Sequence, residues 1–293
     1  MLKRFSIAKS FKTTFWLKVV QLTLICLVLS KAILSQTISI EFIDSPVSYP
    51  VGQLTDVTAP EGVFKHITQN LNKDSIRFVL RQELSKYPKG LLEKRARLAK
   101  IILTDTILIS DENGEFTNAA LGTYVVPARD GNIVFLDVTE SLFPAILHHE
   151  ISSVILYELA TSDSVFRERT DKMLQWFYLK TPYYKLDKVI REVIQKTDDW
   201  PELKNNYFVL CNNGYALMDA ENDFNEIVKC LFNPKLLKAN HALLVDPKLK
   251  LWDFLDEAKK YNYEVYKKVM MVIDYYHSIH PSFTEAYFKA LEN

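Results

Sequence analysis

The stretch Phe143 to Ala160, "FPAILHHEISSVILYELA", decides how this chain is read. Leu147, Ile151, Val154 and Ile155 recur at helical spacing, so the stretch is expected to form a helix with one packed face and one polar face carrying His149, Ser152 and Ser153. His149 and Glu150 begin the pattern H-E-x-x-H. In that pattern two imidazoles one helical turn apart reach a single ion, and the Glu beside the first takes a proton from metal-bound water. Here Ser153 stands where the second imidazole belongs. A hydroxyl is shorter than an imidazole and a poorer donor to a transition metal, and a structural His–Glu pair on a packed helix is the commoner origin of such a pattern.

On the N-terminal side of this helix the sequence reads as strands. "QTISIEFIDS" (Gln36 to Ser45) alternates Ile38, Ile40 and Phe42 with polar residues, and "VSYPVGQLTDVTAPEG" is expected to be a loop. Leucines and isoleucines from Lys73 to Lys100 predict two helices broken at Pro88 and Gly90, with the basic cluster "KRARLAK" as a solvated helix face. Three strands, Ile101 to Ser110, Leu121 to Ala128 and Ile133 to Val138, follow with tight connections. Beyond Leu142 the apolar residues keep helical spacing through 186–194, 224–232, 251–258 and 265–279, with one irregular insert over 207–218. The expected class is α+β, a small antiparallel or mixed sheet followed by a mostly helical half.

The first 35 residues carry Lys3, Arg4, Lys9, Lys12, Lys18 and Lys31, no acidic residue, and the apolar run "VVQLTLICLVL". A basic region, a short apolar core and small residues at "SKAILSQ" predict a secretory signal over 1–35, leaving one domain over 36–293, strand-rich over 36–140 and helical over 141–293. Twelve residues separate Lys18 from Lys31, too few for the roughly 20 of a membrane span, so no stable span is expected after cleavage. The expected location is secreted or periplasmic. Cleavage would leave 30 basic against 36 acidic residues, and no basic run is interleaved with aromatics, which argues against a nucleic-acid partner. Cys211 and Cys230 would remain, able to form a disulfide in such a compartment but lacking the short spacing of a cysteine-rich metal site.

Four segments in order, "YPKGLLEKRARLAKIILTDTILI", "GTYV" with "GNIVFLDV", "LFPAILHHEISSVIL" and "GYALMDAENDFNEIVKCLF", resemble the secreted zinc-binding metallopeptidases of the gluzincin type over roughly Leu84 to Phe232. That resemblance implies a zincin-like fold, with a strand laid beside the metal helix to hold an extended peptide. It also implies roles for single residues: His149 as a metal ligand, Glu150 as general base, and Glu226 as the carboxylate that hydrogen-bonds a ligand from outside the metal sphere. The downstream acidic motif places Asn222 where its ligand Glu belongs, while Glu221 or Asp223 becomes the carboxylate ligand if the register shifts. His148, Ser153, Tyr215 and Asn222 are the expected lining of the cleft. With Ser153 in place of an imidazole, zinc would be held weakly or not at all.

Three functions fit these residues. The chain is a metallopeptidase-like protein that has lost most or all catalysis and holds a peptide or protein partner; or an active peptidase with unusual ligands; or a secreted helical domain whose tyrosine-rich C-terminal third binds a protein without any cleft chemistry. His277 and His280 are read as the end of a surface helix, and no phosphate-binding loop or serine-nucleophile motif is present.

Overall fold

The computed structural model describes residues 38–53, 60–65, 71–111, 113–116, 118–126, 130–181, 216, 218–234, 250–261 and 263–293. The expected signal over 1–35, the expected helix over 186–194, Cys211 and Tyr215 lie outside them, as does the insert over 207–218 except for Ala216 and Met218. None of the described helices is long and apolar enough to cross a membrane.

The described strands are β1 Ser39–Phe42, β2 Val47–Pro50, β3 Gly52–Gln53, β4 Glu61–Lys65, β5 Leu98–Thr104, β6 Thr106–Ile109, β7 Asn118–Ala120, β8 Gly122–Val126 and β9 Asn132–Asp137. The helices are α1 Lys73–Leu84, α2 Leu91–Lys94, α3 Phe143–Ser162, α4 Ser164–Lys180, α5 Ala220–Phe232, α6 Leu251–Tyr261, α7 Tyr263–Ile279 and α8 Glu285–Glu292. α1 and α2 fall between β4 and β5, and the other described helices all follow β9, an order compatible with an α+β chain.

The strands form a mixed five-stranded sheet in the order β1-β5-β9-β8-β3 and an antiparallel four-stranded sheet in the order β2-β4-β6-β7. In the larger sheet β1, β5 and β9 are parallel, β8 runs antiparallel to β9, and β3 runs parallel to β8. Three times the chain passes from one sheet to the other across a single residue, at Val51, Asp105 and Leu121. Strands that bend from one sheet into another build a corner, and the corner needs a core of its own. Phe64 and Phe135 fill it, stacked 4.0 Å apart among Val51, Ile107 and Val125.

Two local expectations are overturned. The segment 47–62 is not a loop: most of its described part is β2, β3 and the start of β4, and Pro50 is tolerated because β2 pairs on one side only. The second helix before the sheet is a single turn. Arg97 takes a left-handed backbone, φ 49°, and Leu98 already begins β5, so "KRARLAK" is divided between a turn and a strand rather than spread over a helix face. Gly131, at φ 104°, closes the turn into β9 where a Cβ would lie 2.6 Å from the Ala99 side chain.

The helix α3 is the centre of the molecule. It is buried from Ala145 through Leu156, and its polar side is pressed against α5. Asp163 ends it and starts the next, accepting from Val165 N at 2.9 Å as the cap of α4. On β9, Phe135 points into the sheet corner; by strand alternation Val134 and Leu136 point to the opposite face, where α3 packs.

Candidate functional site

Consecutive residues on a helix point about 100° apart, and the two histidines of α3 part company accordingly. His148 turns away from the expected cleft. Its Nε2–H donates to Glu83 Oε2 at 2.7 Å, Tyr87 Oη donates to its Nδ1 at 2.9 Å, and its ring stacks on Phe232 at 4.7 Å. Glu83 also takes Lys86, and Lys86 Nζ caps the end of α5 through the Phe232 carbonyl at 2.9 Å. His148 therefore fastens α1, α3 and α5 together, which corrects its expected place as a cleft residue.

His149 faces α5, where its Nδ1–H donates to Glu226 Oε1 at 3.0 Å; Lys229 holds the other oxygen of that carboxylate. The expected meeting of His149 with Glu226 is thus present in the geometry. Burial opposes the charge on both groups. Their mutual hydrogen bond outweighs it, with help from Lys229 for Glu226 and from Glu150 for His149, so Glu226 is held down at about 2 and His149 is raised above the usual imidazole range.

Ser153 meets Glu221. Its hydroxyl donates to Glu221 Oε1 at 3.0 Å, and Tyr157, one turn further along α3, donates to Glu221 Oε2. Asn225 bridges the two serines: its Nδ2 donates to Ser153 Oγ at 2.8 Å, and its Oδ1 accepts from Ser152. Burial raises Glu221 above the ordinary carboxylate range, and the bonds from Tyr157 and Ser153 only partly offset that. Between α3 and α5, then, lies a hydrogen-bonded seam of His149, Ser152, Ser153 and Tyr157 against Glu221, Asn225 and Glu226.

Two residues proposed from the acidic motif do not join it. Asn222 is corrected: its backbone N–H donates to Asp219 Oδ1 at 2.8 Å and its amide to Asp219 Oδ2 at 3.0 Å, so it belongs to the cap of α5. Asp223 is tied into a fully buried ion pair with Lys268, which also donates to Thr181 Oγ1 at 2.6 Å. Glu221 is the carboxylate that reaches the seam.

Glu150 differs from all of these. It is 6% exposed, yet it has no hydrogen-bond partner among the described residues. Burial, with the nearby charges of Glu221 and Glu226, pushes it up to about 7 although His149 and Lys229 pull the other way. Above it runs β8. A Cβ on Gly122 would come 2.8 Å from Glu150 Cγ and Oε1 and 2.6 Å from Ile146 Cγ2, so only glycine lets the strand pass this close to the carboxylate.

The strand expected to hold a peptide also changes identity. β9, which immediately precedes α3, is paired with β5 on one side and β8 on the other. The strand with an open side is β8, because the two-residue β3 covers only Val125 and Val126. Asp137 N donates to Leu121 O at 3.0 Å; alternation then turns the backbone groups of Gly122 and Tyr124 away from β9, where the parallel ladder with β3 takes up the Tyr124 carbonyl and no described strand lies beside the Gly122 N–H and C=O or the Tyr124 N–H. Tyr124 shares the face of Gly122 and stacks over Tyr157 at 5.8 Å.

The side chains present do not fit a zinc centre. One imidazole, one carboxylate and one hydroxyl are a poor set for an ion that takes three nitrogen, sulfur or carboxylate donors and keeps a position for water. The hydroxyl and the carboxylate are moreover spent on each other. Among the described residues, no three His, Cys, Asp or Glu side chains are grouped so as to hold a metal ion.

Sequence reading placed Ser152 on the polar face of α3 but missed Tyr157, Asn225 and Lys229. The signal was there for most of them: Ser153 and Tyr157 are four residues apart, as are Glu221, Asn225 and Lys229, so each set makes one stripe along its helix. No protein-family model matches the chain, and no curated protein or solved structure matches it.

Proposed function

We propose that this chain is an exported, metallopeptidase-like protein that holds an extended peptide along β8 and works without a metal. The observation that carries the reading is the open run Gly122 to Tyr124, whose outward backbone groups lie directly above α3 and the Glu150 carboxylate. An unpaired strand edge is a template for another strand; backbone hydrogen bonds give affinity, and alternate side chains are read by what lies beneath. Ser153, Asn225 and Glu221 take the place that ligands would occupy and tie α3 to α5 by hydrogen bonds, which keeps the floor of the cleft rigid with no ion. Export is supported by Cys230, which is disulfide-bonded, as befits an oxidising compartment.

One observation favours the alternative of retained hydrolysis. Glu150 at about 7 has the proton affinity of a general base at neutral pH. A base alone leaves the attacking water unactivated, so the peptide-holding reading is preferred.

Amide hydrogen exchange with chelator present tests the proposal. A blocked extended peptide of alternating threonine and valine should slow exchange at Gly122 and Tyr124 and leave β9 unchanged. Unaltered exchange at both residues at millimolar peptide would overturn it.

A further inference from the structure

Cross-strand neighbours point to the same face of a sheet. A peptide strand laid beside β8 would therefore direct the side chain opposite Gly122 toward α3, onto the face where Glu150 lies, and the side chains before and after it toward the opposite face. Glu150 is the one member of the seam region that the hydrogen-bond network leaves aside: more than nine-tenths buried, unpartnered among the described residues, and aimed at the underside of the open edge.

The surrounding charge is unbalanced in one direction. Glu150, Glu221 and Glu226 face His149 and Lys229, and Lys229 together with the His149 N–H is already committed to Glu226. Two carboxylates next to the edge thus have Ser153, Tyr157 and Asn225 as neutral partners for one and none for the other.

We infer that the edge-strand site selects an extended segment carrying a basic side chain opposite Gly122, whose cation pairs with Glu150. The inference rests on the peptide-holding reading above and adds its specificity. A neutral side chain there would give Glu150 no hydrogen bond, whereas an ammonium supplies the charge-assisted hydrogen bond that this carboxylate lacks among the described residues. Gly122 is what opens the approach, since any Cβ at that position would fill the space between strand and carboxylate.

Two blocked peptides of alternating threonine and valine, one with lysine and one with norleucine at the centre, separate the parts of the argument. Titrated into the full chain with chelator present, the lysine peptide should bind at least about 10-fold more tightly, one charge-assisted hydrogen bond being worth that much. Glu150→Gln should erase the difference between the two peptides. Equal binding of the two peptides would overturn the basic-side-chain inference and leave the edge strand standing. Binding of neither would remove the edge-strand reading itself. A free amino terminus that binds in place of the blocked lysine peptide would overturn the assignment to a side chain.

Discussion

His148 and His149 are neighbours in sequence with similar burial, and they are held in opposite ways. His148 has a partner at each ring nitrogen and an aromatic ring across its face; burial drives its pKa down further than Glu83 can raise it. His149 meets the same penalty, but Glu226 and Glu150 together outweigh it and its pKa rises. The lesson is that burial does not set the charge of a histidine. What decides is how many carboxylates face it and whether they are already neutralised, as Glu83 is by Lys86. The region around His148 is a sealed clamp of Tyr87, Phe232, Phe283 and Phe288, while the region around His149 is a polar seam bordering an open strand edge.

The difference can be broken by substitution. His148→Ala removes a fully buried ring stacked on Phe232 and leaves the buried Tyr87 hydroxyl without its acceptor, although Lys86 still holds Glu83, and should cost about 4 kcal/mol in urea unfolding. His149→Ala should cost about 2 kcal/mol, because Lys229 still neutralises Glu226. Equal losses would show that the seam is as structural as the clamp.

The next effect is set by pH. Glu150 has a folded pKa of about 7 against an ordinary 4.5, so the folded state binds this proton more tightly than the unfolded chain does. The stability it lends is fully present below about pH 4.5 and lost as pH rises through 7. Glu150→Gln keeps the shape without the charge. It should leave stability near pH 4 unchanged and raise it at pH 8 by up to about 3 kcal/mol, read from urea midpoints at the two values. Loss of stability at pH 8 would mean that Glu150 is a satisfied structural carboxylate like Glu226.

A smaller effect belongs to Ser153→Ala. Tyr157 continues to donate to Glu221, so the loss of one hydrogen bond should cost about 1 kcal/mol. A cost several times larger would mark Ser153 as the keystone of the seam.

Much of this arrangement was legible in the sequence. The spacing of Leu147, Ile151 and Val154 announced α3, and the run Ile133 to Val138 announced β9; Glu226 fell opposite His149 as its motif implied. The sheet corner was not legible, because Pro50 and Gly52 look like loop residues unless one knows that the strand bends at Val51. Nor was the choice between Asn222 and Glu221, both of which the motif offered. Both lie in the first turn of α5, and which one faces α3 depends on where Asp219 caps the helix, a contact of about one hydrogen bond that no periodicity records. His148 and His149 likewise carry the same letter, and only the neighbours brought in from α1 and α5 separate them.

The central claim is that hydrogen bonds between Ser153, Asn225 and Glu221 stand where metal ligation would be. Calorimetric titration of the purified, chelator-washed protein with zinc tests it most directly. No stoichiometric uptake and no shift of the unfolding midpoint with zinc or chelator is the predicted result. One equivalent bound at micromolar affinity or tighter, with a matching rise in midpoint, would contradict it.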